Sequence, residues 1–309
     1  MDPICRIPPD TIVHDDEIRI MSRPVSVYHF PRVIWSRIWA ADPGRGERVA
    51  ILDTGYTAHE LLPRPVAMRS FVPRETIRDG NGHGNHVTGS AVGLDGIGAA
   101  PCAEWIAAKV LADNGSGQMQ WSAQAIHWAI SEGATIINMS LGSDRPDRSL
   151  DEAVRAADDA GVIVVAAAGN SGFAPGRNTI GYPARYLWTA CTGALDSQRR
   201  PTSFSSGGRE MDAAAYGERI VSASHRGNQL TTMSGTSMAS PILAGTLAAL
   251  QSMRTRLGMQ RFPNLADLRV WLEKNAIELG PPGRDEQTGW GKIDSQRIAE
   301  KMVDELTWI

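Results

Sequence analysis

Short apolar runs alternate with longer amphipathic stretches along most of this chain. Arg48-Val49-Ala50-Ile51-Leu52 is apolar almost throughout and stops at Asp53-Thr54-Gly55. A run of that length closed by a turn is the pattern of a strand buried on both faces of a parallel sheet. It recurs over Trp105–Val110, Thr135–Met139 and Val162–Ala166. Between these runs, Trp121–Ser131 and Ser149–Ala160 carry apolar residues at helical spacing, which predicts helices with one face on a core. Strands alternating with helices predict an α/β fold: a three-layer, doubly wound, mostly parallel sheet with helices on both faces. In such sheets functional residues gather beyond the carboxyl ends of the strands. Asp53, Ser140 and Gly169-Asn170 each follow a predicted strand directly. Residues 1–30 break the pattern, being rich in proline and charge, and read as an N-terminal extension to a folded domain over 31–309.

Composition narrows the classes. A chain of 309 residues with 42% hydrophobic positions can bury one substantial core. The net charge of -3 leaves no basic footprint for nucleic acid, and no Lys/Arg cluster points to a membrane surface. No apolar stretch approaches the roughly 20 residues that cross a bilayer. The start, Met1-Asp2-Pro3-Ile4-Cys5-Arg6, lacks the apolar run of a secretory signal, and Cys5, Cys102 and Cys191 show no paired spacing. Both features favour a reduced, cytoplasmic compartment. The alternative is a secreted protein whose signal and pro-region lie outside this sequence.

Three blocks far apart carry the chemistry: Asp53-Thr54-Gly55, His83-Gly84-Asn85-His86-Val87-Thr88-Gly89 and Gly235-Thr236-Ser237-Met238-Ala239-Ser240-Pro241. They bring a carboxylate, an imidazole and a hydroxyl, each among small residues. Nucleophilic acyl transfer needs these groups, because a serine hydroxyl must lose its proton to a neutral imidazole whose tautomer a carboxylate fixes. Each block alone has a plainer reading. Asp53 could simply form a turn, Ser237 could be a helix N-cap, and Gly169-Asn170-Ser171-Gly172 could be a loop. His83 and His86 also have the spacing of a metal pair, although no third ligand with suitable spacing accompanies them.

Taken in order, the blocks resemble the subtilisin-like serine proteases, the subtilases. Further matches are Ala107-Ala108-Lys109-Val110-Leu111, Gly115-Ser116-Gly117-Gln118, Ile137-Asn138-Met139-Ser140-Leu141-Gly142, Ala166-Ala167-Ala168-Gly169-Asn170, Gly181-Tyr182-Pro183-Ala184, Thr202-Ser203-Phe204-Ser205-Ser206 and Gly289-Trp290-Gly291-Lys292-Ile293-Asp294. The resemblance covers about residues 32 to 298 and implies a subtilisin-like fold and a serine endopeptidase. It implies Asp53, His83 and Ser237 as the triad, Asn170 as the oxyanion donor and His86 as structural. The order Asp, His, Ser is the known one for subtilisin. Gly115, Ser116 and Gly117 on one side, and Ser140, Leu141 and Gly142 on the other, resemble the edges that pair with an extended peptide or unfolded protein. Ala168, Gly169 and Gly181 match the walls and base of the primary side-chain pocket, which implies large apolar or aromatic residues before the scissile bond. Met119 stands where an aromatic residue is common, so the outer pocket is expected to differ.

The resemblance also has departures. Gly89–Gly98 is shorter than in subtilisins with a strong calcium loop, so that site is expected to be absent. Catalysis requires no cofactor, and the structural ion the resemblance allows is calcium at Asp212 with the carbonyls of Leu187 and Thr189. Arg6-Ile7-Pro8-Pro9 resembles the proline-bearing leader with which intracellular subtilisins block their own cleft. Two rival activities fit the same groups: a peptide ligase or macrocyclase, in which an amine resolves the acyl-enzyme, and a catalytically silent peptide-binding module.

Overall fold

The computed structural model describes residues 4–6, 12–18 and 43–293. The parallel strands are β3 (Arg48–Asp53), β4 (Ala67–Ser70), β5 (Glu104–Lys109), β7 (Ile136–Met139), β8 (Ile163–Ala167), β9 (Thr189–Leu195) and β10 (Met211–Tyr216). They form one seven-stranded sheet in the order β10-β9-β8-β7-β3-β5-β4, and every neighbouring pair is parallel. Chain order climbs steadily from β3 to β10 on one side while β5 and β4 lie on the other, so connections leave β3 and its neighbours in opposite directions and a crevice opens at its carboxyl end. Asp53 is the last residue of β3.

Alternation along the strands assigns the two faces. Val49 and Ile51 join one apolar cluster with Trp105 and Ile136, whereas Ala50 and Leu52 join another with Ile106 and Ile137. A period of two sends neighbouring side chains to opposite faces, and both faces need cover. Helices α1 (His83–Val92) and α4 (Thr236–Arg256) cover the first face. Helices α2 (Met119–Ser131) and α3 (Arg148–Asp159) cover the second. The expected three layers are present. Helix α4 is buried from Thr236 through Ser252, so it runs through the core rather than along it. Helix α5 (Leu265–Asn275) contributes Leu265, Leu268 and Leu272 to the same cluster.

Pattern reading missed β9 and β10. Thr189-Ala190-Cys191-Thr192-Gly193-Ala194-Leu195 is fully buried yet built of small and polar residues, so it carries no apolar run. Small side chains suit strands on which α4 lies closely.

The N-terminal extension also departs from expectation. Its described parts are strands: β1 (Ile4–Arg6) pairs antiparallel with β6 (Ser116–Gln118), and β2 (Ile12–Ile18) pairs antiparallel with β12 (Leu230–Ser234). Strand β2 thereby completes a three-stranded sheet with β12 and β11 (Ile220–Ala223). Ile7, Pro8 and Pro9 of the leader motif lie outside the described residues.

Candidate active site

Sheet and helices bring the three blocks together. Asp53 Oδ1 lies 2.8 Å from His83 Nδ1 and accepts the Thr54 N–H at 2.7 Å. A carboxylate only accepts, so Nδ1 carries the imidazole proton and Nε2 is left with its lone pair. His83 Nε2 has no partner among the described residues. His83 is the first residue of α1, which approaches the end of β3 closely because residue 84 is glycine. A Cβ on Gly84 would stand 2.4 Å from Gly55 O.

Ser237 is the second residue of α4 and is fully buried. Its Oγ donates to Ser140 O at 3.4 Å, and no hydrogen bond joins it to His83. Pro241 lies inside α4. Having no N–H, it cannot donate to the carbonyl four residues back, which is that of Ser237. Ser140 Oγ fills that vacancy, donating to Ser237 O at 2.8 Å. The end of β7 and the start of α4 are joined again by Ser240 Oγ, which donates to Asn138 Oδ1 at 2.6 Å.

Asn170 sits in the loop after β8. Its Oδ1 accepts both the N–H and the Oγ1–H of Thr236, each at 2.9 Å. With the oxygen engaged on that side, Nδ2 points the other way, buried and without a partner among the described residues. Thr236 Oγ1 in turn accepts the Gly169 N–H at 3.1 Å, which steadies the loop. The arrangement therefore gathers an oriented imidazole, a hydroxyl and an unengaged buried amide donor at one sheet edge.

Comparison with known proteins assigns the chain to a family. The Subtilase family profile matches residues 44–291. Subtilisin DY from Bacillus licheniformis is 41% identical over 244 residues, 77% of this chain and 86% of that protein. The chain belongs to the subtilase family. The intracellular serine protease of Paenibacillus polymyxa is 35% identical over 295 residues, covering 92% of this chain and 88% of its own. A thermostable alkaline protease from Halalkalibacterium halodurans is 40% identical over 246 residues, and this chain spans 64% of its length.

The peptide edges expected of a subtilase are only partly open in this one. Ser116 and Gly117 lie on β6, whose partner in its two-stranded sheet is β1, with Cys5 opposite Gly117 and Arg6 opposite Ser116. Gly115 forms the turn before β6 at φ +78°. On the opposite side, Leu141 is a core residue with its side chain fully buried, so only its backbone can face a peptide. The Ser140 hydroxyl is engaged with Ser237 O. Ala168 has both backbone groups paired, its N–H to Thr192 O and its carbonyl to Gly181 N. Gly169, Ala168 and Gly181 are thus joined as one wall, alongside the antiparallel bridge Ser143–Tyr182. Met119 is fully buried at the start of α2, so it belongs to the core and not to an outer pocket.

The expected cation ligands need correction. Asp212 Oδ1 and Oδ2 accept from Arg269 Nε at 2.8 Å and Nη2 at 3.0 Å. The same guanidinium donates to Leu187 O at 2.8 Å and Thr189 O at 3.4 Å. Asp212 also accepts from Arg284 and from the Cys191 N–H. An arginine fork matches a carboxylate with flanking carbonyls, and the oxygens it holds are no longer free for a hard cation. The three residues do meet, but around an arginine, so they do not fit a calcium ion. His86 is not a ligand either, since its Nε2 contacts Ile220 O at 2.8 Å inside the core. No group of three or more His, Cys, Asp or Glu among the described residues could hold a metal ion. Burial pushes the Cys191 thiol well above its ordinary range, as suits an inert core residue.

Two buried charges beside the site escaped sequence reading. Lys109, the cross-strand partner of Asp53, is fully buried and donates to Thr54 O and to Asp113 Oδ1 at 2.5 and 2.7 Å. Asp79 lies beneath the first turn of α1. A lysine closing an otherwise apolar strand, and an aspartate just ahead of a helix, were the available signals.

Proposed function

We propose that this protein is a serine endopeptidase that cleaves extended peptides or unfolded proteins through an acyl-enzyme on Ser237. The observation that carries this reading is the Asp53–His83 contact at 2.8 Å with His83 Nε2 left unpaired. Ser237 Oγ turns from Ser140 O toward that nitrogen and attacks the scissile carbonyl as its proton passes to His83. Asp53 holds the imidazole and stabilises the cation that forms. Negative charge builds on the former carbonyl oxygen, where Asn170 Nδ2 and the Ser237 backbone N–H receive it. His83 then returns the proton to the leaving amine, and water attacks the ester by the reverse path. Nucleophile, base and oxyanion donors all come from the chain itself, so no cofactor takes part in these steps. Labelling with a serine-reactive fluorophosphonate tests the assignment. The protein trimmed of its leader is expected to label, and its Ser237→Ala variant is not. Mass spectrometry of products from a linear peptide separates hydrolysis from ligation, and joined products would overturn the hydrolytic reading.

Small residues at Ala168, Gly169 and Gly181 support a preference for large apolar or aromatic side chains before the cleaved bond. A peptide-library profile dominated by Arg or Lys there would reject it. The relative named intracellular, which matches 92% of this chain, supports action in the cytoplasm. No helix among the described residues is long and apolar enough to cross a membrane.

The leader reading also gains support. Strand β1 lies antiparallel on β6, an edge expected to bind substrate, and β2 lies along the strand that leads into Ser237. In the whole chain Ser237 is 0% and His83 2% exposed. A tethered strand has a high effective concentration at its own groove, and weak pairing is enough to hold it there. Trimming to a start near Ser26 is expected to raise kcat/KM about tenfold or more, a modest share of the gain tethering allows. Equal values for folded full-length and trimmed proteins would leave the two pairings as simple structural strands.

A further inference from the structure

Helix α1 begins at His83 without a capping side chain at the residue before it. Its first-turn N–H groups are instead satisfied from elsewhere. His83 N donates to Asn81 Oδ1 at 3.3 Å, Gly84 N to Thr54 Oγ1 at 2.8 Å and Asn85 N to Asp79 Oδ2 at 2.8 Å. Asp79 Oδ1 accepts three more donors: Thr54 Oγ1 at 2.9 Å, Asn81 N at 3.0 Å and Gly82 N at 2.7 Å. Asp79 is 1% exposed. One carboxylate therefore grips both the residue after Asp53 and the residues on either side of His83.

We propose that Asp79 is a positioning residue for the reaction, fixing the first turn of α1, and with it His83, against Asp53. Every hydrogen bond to the Asp79 carboxylate comes from a donor, the pattern of a carboxylate anion. An asparagine would turn an NH2 group against one of those N–H groups. No Lys or Arg is ion-paired with Asp79 among the described residues. Backbone N–H groups, the Thr54 hydroxyl and the positive end of α1 balance its charge.

The other charged or titratable groups around His83 are few. Asp53 faces it from β3. His225, in the turn after β11, packs against Gly82, where a Cβ would stand 2.3 Å from its Nδ1. Asp113 accepts the Gly80 N–H, but Lys109 pairs with it at 2.7 Å. His86, on α1 itself, is held on Ile220 O. Helix α4 carries Arg254 and Arg256 only in its last turn.

The inference rests on Asp53 and His83 being the catalytic couple, which His83→Ala tests by itself. The experiment measures kcat and KM of Asp79→Asn on a chromogenic peptide, with folding checked by circular dichroism and thermal unfolding. kcat should fall at least about tenfold while KM stays within about twofold, the mark of a misplaced base. A purely structural Asp79 would lower Tm and leave kcat within about twofold of wild type, and that result overturns the proposal. Should Asp79→Asn fail to fold, Thr54→Val cuts the same bridge and keeps the charge. It is expected to lower kcat, with Thr54→Ser restoring it, and wild-type kcat in Thr54→Val overturns the positioning. If His83→Ala is inactive while Asp79→Asn behaves as wild type, only the Asp79 proposal falls. Full activity in His83→Ala removes the couple and the proposal together.

Discussion

The two halves of the site use their hydrogen bonds differently. On the Asp53–His83 side, Asp53 Oδ1, Thr54, Asp79, Gly84 and Asn85 close onto one another, while Asp53 Oδ2 has no partner among the described residues. On the Ser237–Asn170 side, His83 Nε2 and Asn170 Nδ2 have no partners among the described residues, and Ser237 Oγ has only a 3.4 Å contact with Ser140 O. A buried polar atom without a partner costs about 1–3 kcal/mol. Apart from Asp53 Oδ2, the groups proposed to orient are satisfied within the fold, and the groups proposed to react have few partners in it. Stability and reactivity have been assigned to opposite sides of one imidazole.

That division is broken most directly by removing either side of the reacting pair. Ser237→Ala and His83→Ala should each lower kcat by about 10⁶-fold, and the double variant should be no worse, because members of such a unit act together. Turnover on a chromogenic peptide measures this, and additive losses would mean two independent functions. Asn170→Ala comes next, with kcat expected to fall about 100- to 1000-fold at nearly constant KM. A raised KM with unchanged kcat would make Asn170 a ground-state binding residue. Ser140→Ala should mainly lower stability, by about 1–3 kcal/mol, since Ser237 O loses the donor that Pro241 cannot supply. Thermal unfolding should show it as a fall in Tm of several degrees.

The smallest effect concerns the contact between Lys109 and Asp113. The hydrogen bond from Lys109 holds the Asp113 carboxyl below its ordinary range against some desolvation. A folded-state value below the unfolded one adds stability at pH above the unfolded value. That contribution is lost as pH falls through the folded value. Because Asp113 is 54% exposed, solvent screening keeps it small. Asp113→Asn is expected to cost less than about 1 kcal/mol at neutral pH, with the difference from wild type shrinking as urea titrations are taken into acid. A difference that grew in acid would contradict the sign.

Much of the fold was readable because its central strands are unbroken apolar runs. Arg48–Leu52, Trp105–Val110, Thr135–Met139 and Val162–Ala166 needed only adjustments of a residue or so at the ends. Helix α2 begins at Met119, two residues before the expected Trp121. Strands β9 and β10 were not readable, since the small residues that let α4 lie close leave no apolar signal of their own.

What the sequence determined by itself is the chemistry. Each block alone has a plainer reading as a turn, a cap or a loop, and it is their order and their resemblance to one family that point to a nucleophile, a base, a carboxylate and an oxyanion amide. What only the tertiary structure decided is which distant groups those blocks meet. Arg269 reaches Asp212 from 57 residues away and takes the oxygens a cation would need. Asp79 reaches across 25 residues to Thr54 and binds the strand end to the helix start. Asn138 fixes Ser240 from 102 residues away. Hydrogen bonds of that kind depend on where loops end up after the sheet has formed, and nothing in the spacing of the residues along the chain specifies it.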